Sequence, residues 1–263
     1  MSSRHLVVLM LGAAASALAA AQTGGPLATP RGFEAGVQLS GYRYTEPEID
    51  VRIDGGQFGG RFAYTFGITR AMFGRVDARL AYGELEYSGS GTAEAQPNSI
   101  FEVRNVFGRD HYVAEGLMLT PYVGIGYRSL YSDLRGQSST GAVGYRRYSR
   151  YLYLPIGLAA RFNAEDQWVV APTIEYDHFI RGKQETKLTD TGIAGLPDVE
   201  NTQRKGVGYR ASLMFENGQF SFGPWFHVWR IKDSDIVRIS PTEGLLEPKN
   251  ETKEAGVEVN YRF

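Results

Sequence analysis

The sequence predicts an all-β protein, a closed antiparallel up-and-down transmembrane β-barrel of about ten strands, with eight or twelve as the alternatives. Three observations predict it. The last residues alternate, with Val257, Val259, Tyr261 and Phe263 on one face and Gly256, Glu258, Asn260 and Arg262 on the other, and a period of two sets each group on one side of a sheet. Connections between such alternating runs are short and long by turns along the chain. The first residues are composed like a secretory signal peptide.

In chain order, Arg4 and His5 precede the apolar run Leu6–Leu11, and small residues then lead to Ala19 and Ala21. A positive start, a short apolar run and an A-x-A-like exit assign residues 1–21 to a signal peptide, because the run is too short for a membrane anchor. Residues 22–32, rich in Gly and Pro, are expected to form a flexible lead-in, and residues 33–263 the barrel. Its strands are expected over 33–45, 57–69, 71–87, 100–110, 117–131, 146–162, 167–181, 204–216, 219–231 and 252–263. Apolar residues nowhere recur at three-and-four spacing over three turns, so no helix is expected. The connections after the second, fourth, sixth and eighth strands are short, at Arg70, Asp110 to Gly116, Asn163 to Asp166 and Asn217-Gly218. Asn-Gly between alternating runs signals a hairpin, since both residues accept positive φ. The other connections are long and polar, such as Ser88 to Ser99 and Gly182 to Gln203. Glu46 to Asp54 and Ile236 to Ile239 keep the alternation, so hairpins there should rise above the membrane.

Composition narrows the class. The chain carries 16 Tyr, 14 Phe and 32 Gly, a mixture that suits strands, tight turns and interfacial aromatic belts. With no Cys, disulfides, thiolate metal sites and a lipid-modified cysteine are excluded. A net charge of −1 gives no bulk attraction to nucleic acid, which is not an expected partner. Beyond the signal no apolar run reaches the roughly 18 residues of a membrane-crossing helix, so any crossing is made by strands.

Alternation alone leaves open which face points inward, because a soluble ligand-binding barrel would bury its apolar set. The signal-like start, the loop asymmetry and the aromatic ending select the inverse, apolar side outward to lipid. Closure then follows, since an open edge in lipid would leave backbone groups unpaired. The inward face collects Arg61, Arg75, Asp77, Arg79, Glu102, Arg104, Arg128, Arg161, Glu175, Asp177, Arg210, Glu258 and Arg262, with His227 beside Trp225 and Trp229. Arginine forks matched to carboxylates in a narrow interior are expected to form a plug of ion pairs and hydrogen bonds. Pro121, Pro155, Pro172 and Pro224 lie inside strands, and each removes a ladder donor. Bulges or gaps are therefore expected, above all at Pro155 and Pro172.

The aromatic ending at Tyr261 and Phe263 resembles that of Gram-negative outer-membrane β-barrel proteins, and the loop pattern is similar to that of the opacity-type and porin-like small barrels. The resemblance implies export through the periplasm to the Gram-negative outer membrane. It also implies a monomer inserted by the barrel assembly machinery, with Tyr261 and Phe263 as the signal that machinery reads. Outer-membrane lipid and lipopolysaccharide are the implied surroundings. The implied role is structural or adhesin-like, with an extracellular ligand held by the loops. A porin-like small-solute channel is the alternative, and a barrel hydrolase the third reading. The omptin outer-membrane proteases also have ten strands, but their site needs facing acidic residues and an Asp-x-His pair. Here Asp177 and His178 are adjacent, which sends them to opposite faces. A hydrolase would have to draw on His111, His178 or His227, and only His227 combines an inward position with a serine, Ser212, on the neighbouring strand. The chain is therefore expected not to be an enzyme, and no catalytic residue, metal site or cofactor is expected.

Overall fold

A computed structural model describes residues 27–164, 167–240 and 242–263. The expected signal at 1–21 and the start of the lead-in lie outside the described residues. Ten long strands build the barrel: β1 (Gly32–Glu46), β2 (Val51–Gly67), β3 (Met72–Gly89), β4 (Gly91–Arg109), β6 (Leu117–Gln137), β7 (Val143–Asn163), β8 (Val169–Thr186), β10 (Gly206–Asn217), β11 (Phe220–Ile231) and β14 (Asn250–Arg262). Each pairs antiparallel with the next, and β14 returns to β1 from Glu34↔Arg262 to Thr45↔Glu251, which closes the wall. β5 (His111–Ala114) pairs with β6, β9 (Val199–Gln203) extends β8, and β12 (Val237–Arg238) and β13 (Gly244–Leu245) form a small hairpin. A 3-10 turn spans Leu188–Thr191.

The strands reverse polarity along their length. On β3 the outward residues are Val76, Leu80 and Tyr82, then Glu84, Glu86 and Ser88, while the inward ones are Arg75, Asp77 and Arg79, then Ala81 and Leu85. On β1 the same crossover separates outward Val37 and Leu39 from Arg43, and inward Glu34 and Gln38 from Tyr42 and Tyr44. Lower down the wall faces lipid with its apolar side. Higher up it faces water and buries that side, as a soluble barrel does. Aromatic pairs ring the lower band at both margins: Phe33–Tyr64, Trp168–Phe222 and Phe220–Tyr261 near the short turns, Phe58–Tyr82 and Tyr176–Tyr209 near the crossover. Such girdles mark the two interfaces of a membrane barrel. β6 and β7, of 21 residues each, run about 70 Å along their axes, against an apolar band of roughly 25 Å. The excess stands above the membrane.

That excess corrects the expected loops. Ser88 to Ser99 is not a loop: β3 and β4 stay paired up to Gly89↔Gly91, with Ser90 alone at the tip. Main-chain pairing needs no apolar side chain, so a Gly/Ser-rich segment in water still forms a hairpin. Likewise Gly182↔Gln203 to Thr186↔Val199 continues the sheet through the ends of the second expected loop. At the other end of the barrel Asn217 pairs with Phe220, leaving Gly218 and Gln219 as the turn, and Gly218 takes the left-handed φ of 57°.

Each of the four prolines singled out above sits at a break in one ladder. Pairing of β6 with β7 passes from Val123↔Ile156 to Gly126↔Tyr153 around Pro155. That of β7 with β8 passes from Ala159↔Thr173 to Phe162↔Val170 around Pro172. β10 and β11 skip from Ser212↔Trp225 to Phe215↔Phe222 around Pro224. At Pro121 the partner of β6 changes from β4 to β5. On the opposite flank the partners continue, as at Pro155↔Asp177 and Pro172↔Leu213. The missing donor thus costs one local interruption and leaves the barrel closed.

Residues 27–31 also differ from the loose lead-in expected of them. Leu27 is tucked inside the barrel, Thr29 bonds Asp110 through its backbone N–H (2.9 Å) and its hydroxyl (2.7 Å), and Arg31 donates to the carbonyl of Thr69 (2.6 Å). Pro30 and the positive φ of Gly32 (112°) set the entry of this segment, and polar partners in the lumen hold it.

Candidate functional site: the filled lumen and the extracellular mouth

The lumen has three levels. At the short-turn end Arg75 pairs with Glu34 (2.7 Å), Arg61 with Glu258 (2.7 Å) and Arg161 with both oxygens of Glu216 (2.6 and 3.0 Å). Arg262 lies between Glu34 and Glu216 at 3.4 Å from each. Arg161 also donates to the carbonyl of Leu27 (3.1 Å), so the lead-in forms part of this level.

The second level is a continuous ion-pair network. Arg104 joins Asp77 (3.0 Å) to Glu175 (2.7 Å), and Arg210 joins Glu102 (2.5 Å), Asp177 (2.7 Å) and Glu175 (3.0 Å). Arg79 and Arg128 share Glu254 (2.5 and 2.7 Å). Tyr122 and Tyr153 donate to Glu175 and Glu102 at 2.7 Å each, and His227 lies 3.4 Å from Asp177. The structure therefore places every residue of the predicted inward set in the lumen. The sequence reading omitted Glu34, Glu216 and Glu254, which take up arginines the predicted carboxylates leave over. Their position in the alternation with Gln38, Arg210 and Glu258 was the available signal.

The third level is apolar. Tyr42, Tyr44, Ile53, Leu85, Ile100 and Leu130 form one cluster, and Tyr151, Tyr153, Phe179, Trp229 and Ile231 a second. Trp229, 1 % exposed, packs its ring 5.1 Å from that of Tyr153 and 5.7 Å from that of Tyr151. A plug of ion pairs and hydrogen bonds, narrowed by inward tyrosines and by Trp225 and Trp229, was expected along the lumen. Because the strands outgrow the membrane, their upper inward positions pack as a hydrophobic core instead.

At the mouth the loop between β11 and β14 folds over this core. Its Glu247 reaches Arg147, which also pairs with Glu46 (2.7 Å), while the Tyr44 hydroxyl donates to Glu46 (2.5 Å) and Glu247 (3.2 Å). Ser234 holds the backbone of Glu247 through two hydrogen bonds (2.9 and 3.0 Å). Burial raises the Glu247 carboxyl to about 7; Arg147 opposes the rise and Glu46 adds to it. Beside this latch lies a cleft of about 360 Å³ lined by Ile49, Val51, Tyr87, Leu134, Arg135 and Tyr145. It exists because β4 and β6 stop pairing at Asn98↔Ser132, after which β4 follows β3 and β6 follows β7. The tips rejoin where the Ser139 N–H donates to the Thr92 carbonyl (2.8 Å) and the Ser138 hydroxyl to that of Ser90 (2.6 Å).

No family model matches the sequence, and no curated protein matches it. Solved structures do. The outer membrane protease OmpT from Escherichia coli superposes with a TM-score of 0.57 at 10% identity, over 89% of this chain and 98% of that one. The fold is that of an outer-membrane β-barrel. Two weaker likenesses are the translocator domain of the autotransporter NalP from Neisseria meningitidis (TM-score 0.42, 13% identity, 99% and 96% covered) and the attachment invasion locus protein Ail of Yersinia pestis (0.33, 10%, 89% and 100%). At such identities the likeness concerns the fold alone. Within this outer-membrane barrel Asp177 is fully buried in the lumen while His178 points outward beside Tyr176. Among the described residues no hydrogen bond joins Ser212 to His227, and no cluster of three metal-ligating side chains occurs.

Proposed function

We propose that this outer-membrane barrel conducts no solute and catalyses no reaction, and that its role is surface interaction through the hairpins above the membrane. The apolar third level carries the proposal. A hydrated ion needs a continuous polar path, and here ion pairs below give way to packed Tyr, Ile, Leu and Trp side chains. The arginines beneath are held by carboxylates and tyrosines, so little charge is free to attract an anion. What the molecule offers outward is the cleft between hairpins and, above the apolar band, a polar face on which Arg43, Arg52, Lys183, Arg230 and Lys253 each lie beside a carboxylate. The apolar band below meets the lipid of the outer membrane. An extracellular ligand would seat in the cleft, where apolar and aromatic walls sit beside Arg135 and Gln96. The refolded protein in planar bilayers should stay silent at about 100 mV. Discrete conductance steps would overturn the sealed lumen and favour a channel.

A further inference from the structure

Above the crossover the outer wall carries two unpaired faces of opposite charge. Where β8 changes partner from β10 to β9, the pairs His178↔Val207 and Gly182↔Gln203 leave a notch between them. Continued by one step, the second register sets Arg181 opposite Arg204. On the other flank of the notch, one step beyond Gly206↔Ile231, the Lys232 N–H donates to the Lys205 carbonyl (2.9 Å). Arg181, Arg204, Lys205 and Lys232 are all exposed, and the strand alternation points all four outward. Like charges directly opposite are destabilising in a sheet. Among the described residues no carboxylate stands within salt-bridge distance of the four. Glu200 and Glu251 nearby already pair with Lys183 (2.5 Å) and Arg230 (2.7 Å), and Asp233 and Asp235 accept the backbone N–H groups of Lys249 and Thr202 (2.6 Å each).

The opposite charge stands across the barrel. On β3, Glu84 and Glu86 point outward above Tyr82. Asp54 on β2 pairs directly with Glu86, and a bulge on β4 sets Glu94 and Ala95 against its other side. Asp54 is held by Arg52 (2.5 Å) and Arg43 (3.6 Å), whereas Glu84, Glu86 and Glu94 have no cation within salt-bridge distance among the described residues. Counted round the closed wall, β3 is five strands from β10 in either direction, so the two faces are diametrically placed. They also share one height. Glu86 lies four residues above Tyr82, and Lys205 four above Tyr209, about 13 Å along each strand from the upper aromatic girdle.

A membrane holds every copy upright, so a sideways approach alone brings the notch of one copy against the acidic face of the next. We infer that copies of this chain associate head to tail in the plane of the membrane through these two faces, rather than standing as the expected monomer. Contact between opposite sides is heterologous, and a straight repeat does not close, so the product is a row and not a ring. A lipid phosphate would answer the cations and leave the carboxylates unanswered, whereas a second copy answers both. Single exposed ion pairs are weak and screened by salt. Here several form together, between partners already confined to one plane. The contact goes beyond the ligand cleft between β4 and β6 and does not need it.

The absence of cysteine permits a direct test in outer membranes. Chains carrying Ser88→Cys, above Glu86 on the acidic face, are co-expressed with chains carrying Thr202→Cys, on β9 beside the notch. Both are checked for heat-modifiable mobility and treated with a short bis-maleimide. The 88–202 dimer should exceed the two-to-one yield over either homodimer that random collision gives. The excess should fall severalfold in about 1 M sodium chloride, where the screening length is about 3 Å. Glu84→Lys with Glu86→Lys in the first chain, or Lys205→Glu with Lys232→Glu in the second, should each remove it. Combining the two reversals should restore it in part, which a merely structural disturbance would not do. Reconstitution of the parent pair in phospholipid vesicles should give the same excess. A random ratio in the parent pair, or an excess indifferent to salt and to both reversals, would overturn the inference. So would an excess in phospholipid vesicles that is missing from outer membranes, since lipopolysaccharide phosphates would then hold the notch.

Discussion

Arg210 contacts three carboxylates, Glu102, Glu175 and Asp177, and also the Tyr153 hydroxyl (2.9 Å). A buried ion-pair network is weak evidence for net stability, since desolvation offsets much of the attraction, but removing one member strands the rest. Arg210→Leu should therefore cost about 3–5 kcal/mol in urea unfolding from detergent. An unchanged midpoint would mean that water already solvates those carboxylates. Trp229→Ala should cost a similar amount, about 3–5 kcal/mol, through the cavity it opens among Tyr151, Tyr153 and Phe179. Glu247 gives a pH dependence. Its folded carboxyl, near 7, keeps a proton that the unfolded chain, near 4.5, has lost over the interval between. Its contribution is complete below about pH 4.5 and declines as pH rises through 7. The unfolding midpoint should fall between pH 5 and 8, and Glu247→Gln should flatten that fall. An identical slope in the variant would remove the latch from the account.

At the scale of the element, strand identity was legible because period-two alternation survives in either solvent. The expected and observed strands agree closely in the band, as at 33–45 against Gly32–Glu46, and diverge above it, as at 100–110 against Gly91–Arg109. The divergence has a physical cause. A strand in water on one side and core on the other needs no lipid-facing apolar residues, so Gly, Ser, Ala and Glu on β4 read as a loop. The inward face was legible for the same reason up to the crossover. Glu46 lies one residue past the expected end of the first strand and Glu247 in an expected loop, so the cluster they form with Arg147 at the mouth was not legible. The β1–β14 seam belongs to this scale as well. Tyr261 packs against Phe220 and Phe263, with ring centroids 5.0 and 5.1 Å away, and the Phe263 N–H donates to the Phe33 carbonyl (2.9 Å). Deleting Tyr261 to Phe263 should reduce the heat-modifiable form recovered from outer membranes severalfold. Full recovery would show that neither the seam contacts nor an assembly signal resides there.

For the whole molecule, the central claim is a single closed wall that serves two solvents, lipid below Tyr82 and water above it, with the lumen sealed between. The same strands thus make a membrane barrel and, on top of it, a small water-facing barrel with its own hydrophobic core. The absence of cysteine makes this directly measurable on β3. Single variants Val76→Cys, Leu80→Cys, Glu84→Cys, Glu86→Cys and Leu85→Cys should be treated on intact cells with a membrane-impermeant maleimide. The account predicts labelling at 84 and 86, none at 76 and 80 until the membrane is dissolved, and none at inward-facing 85 until the protein is unfolded. Labelling of 76 and 80 on intact cells, or of 85 in the folded barrel, would contradict it.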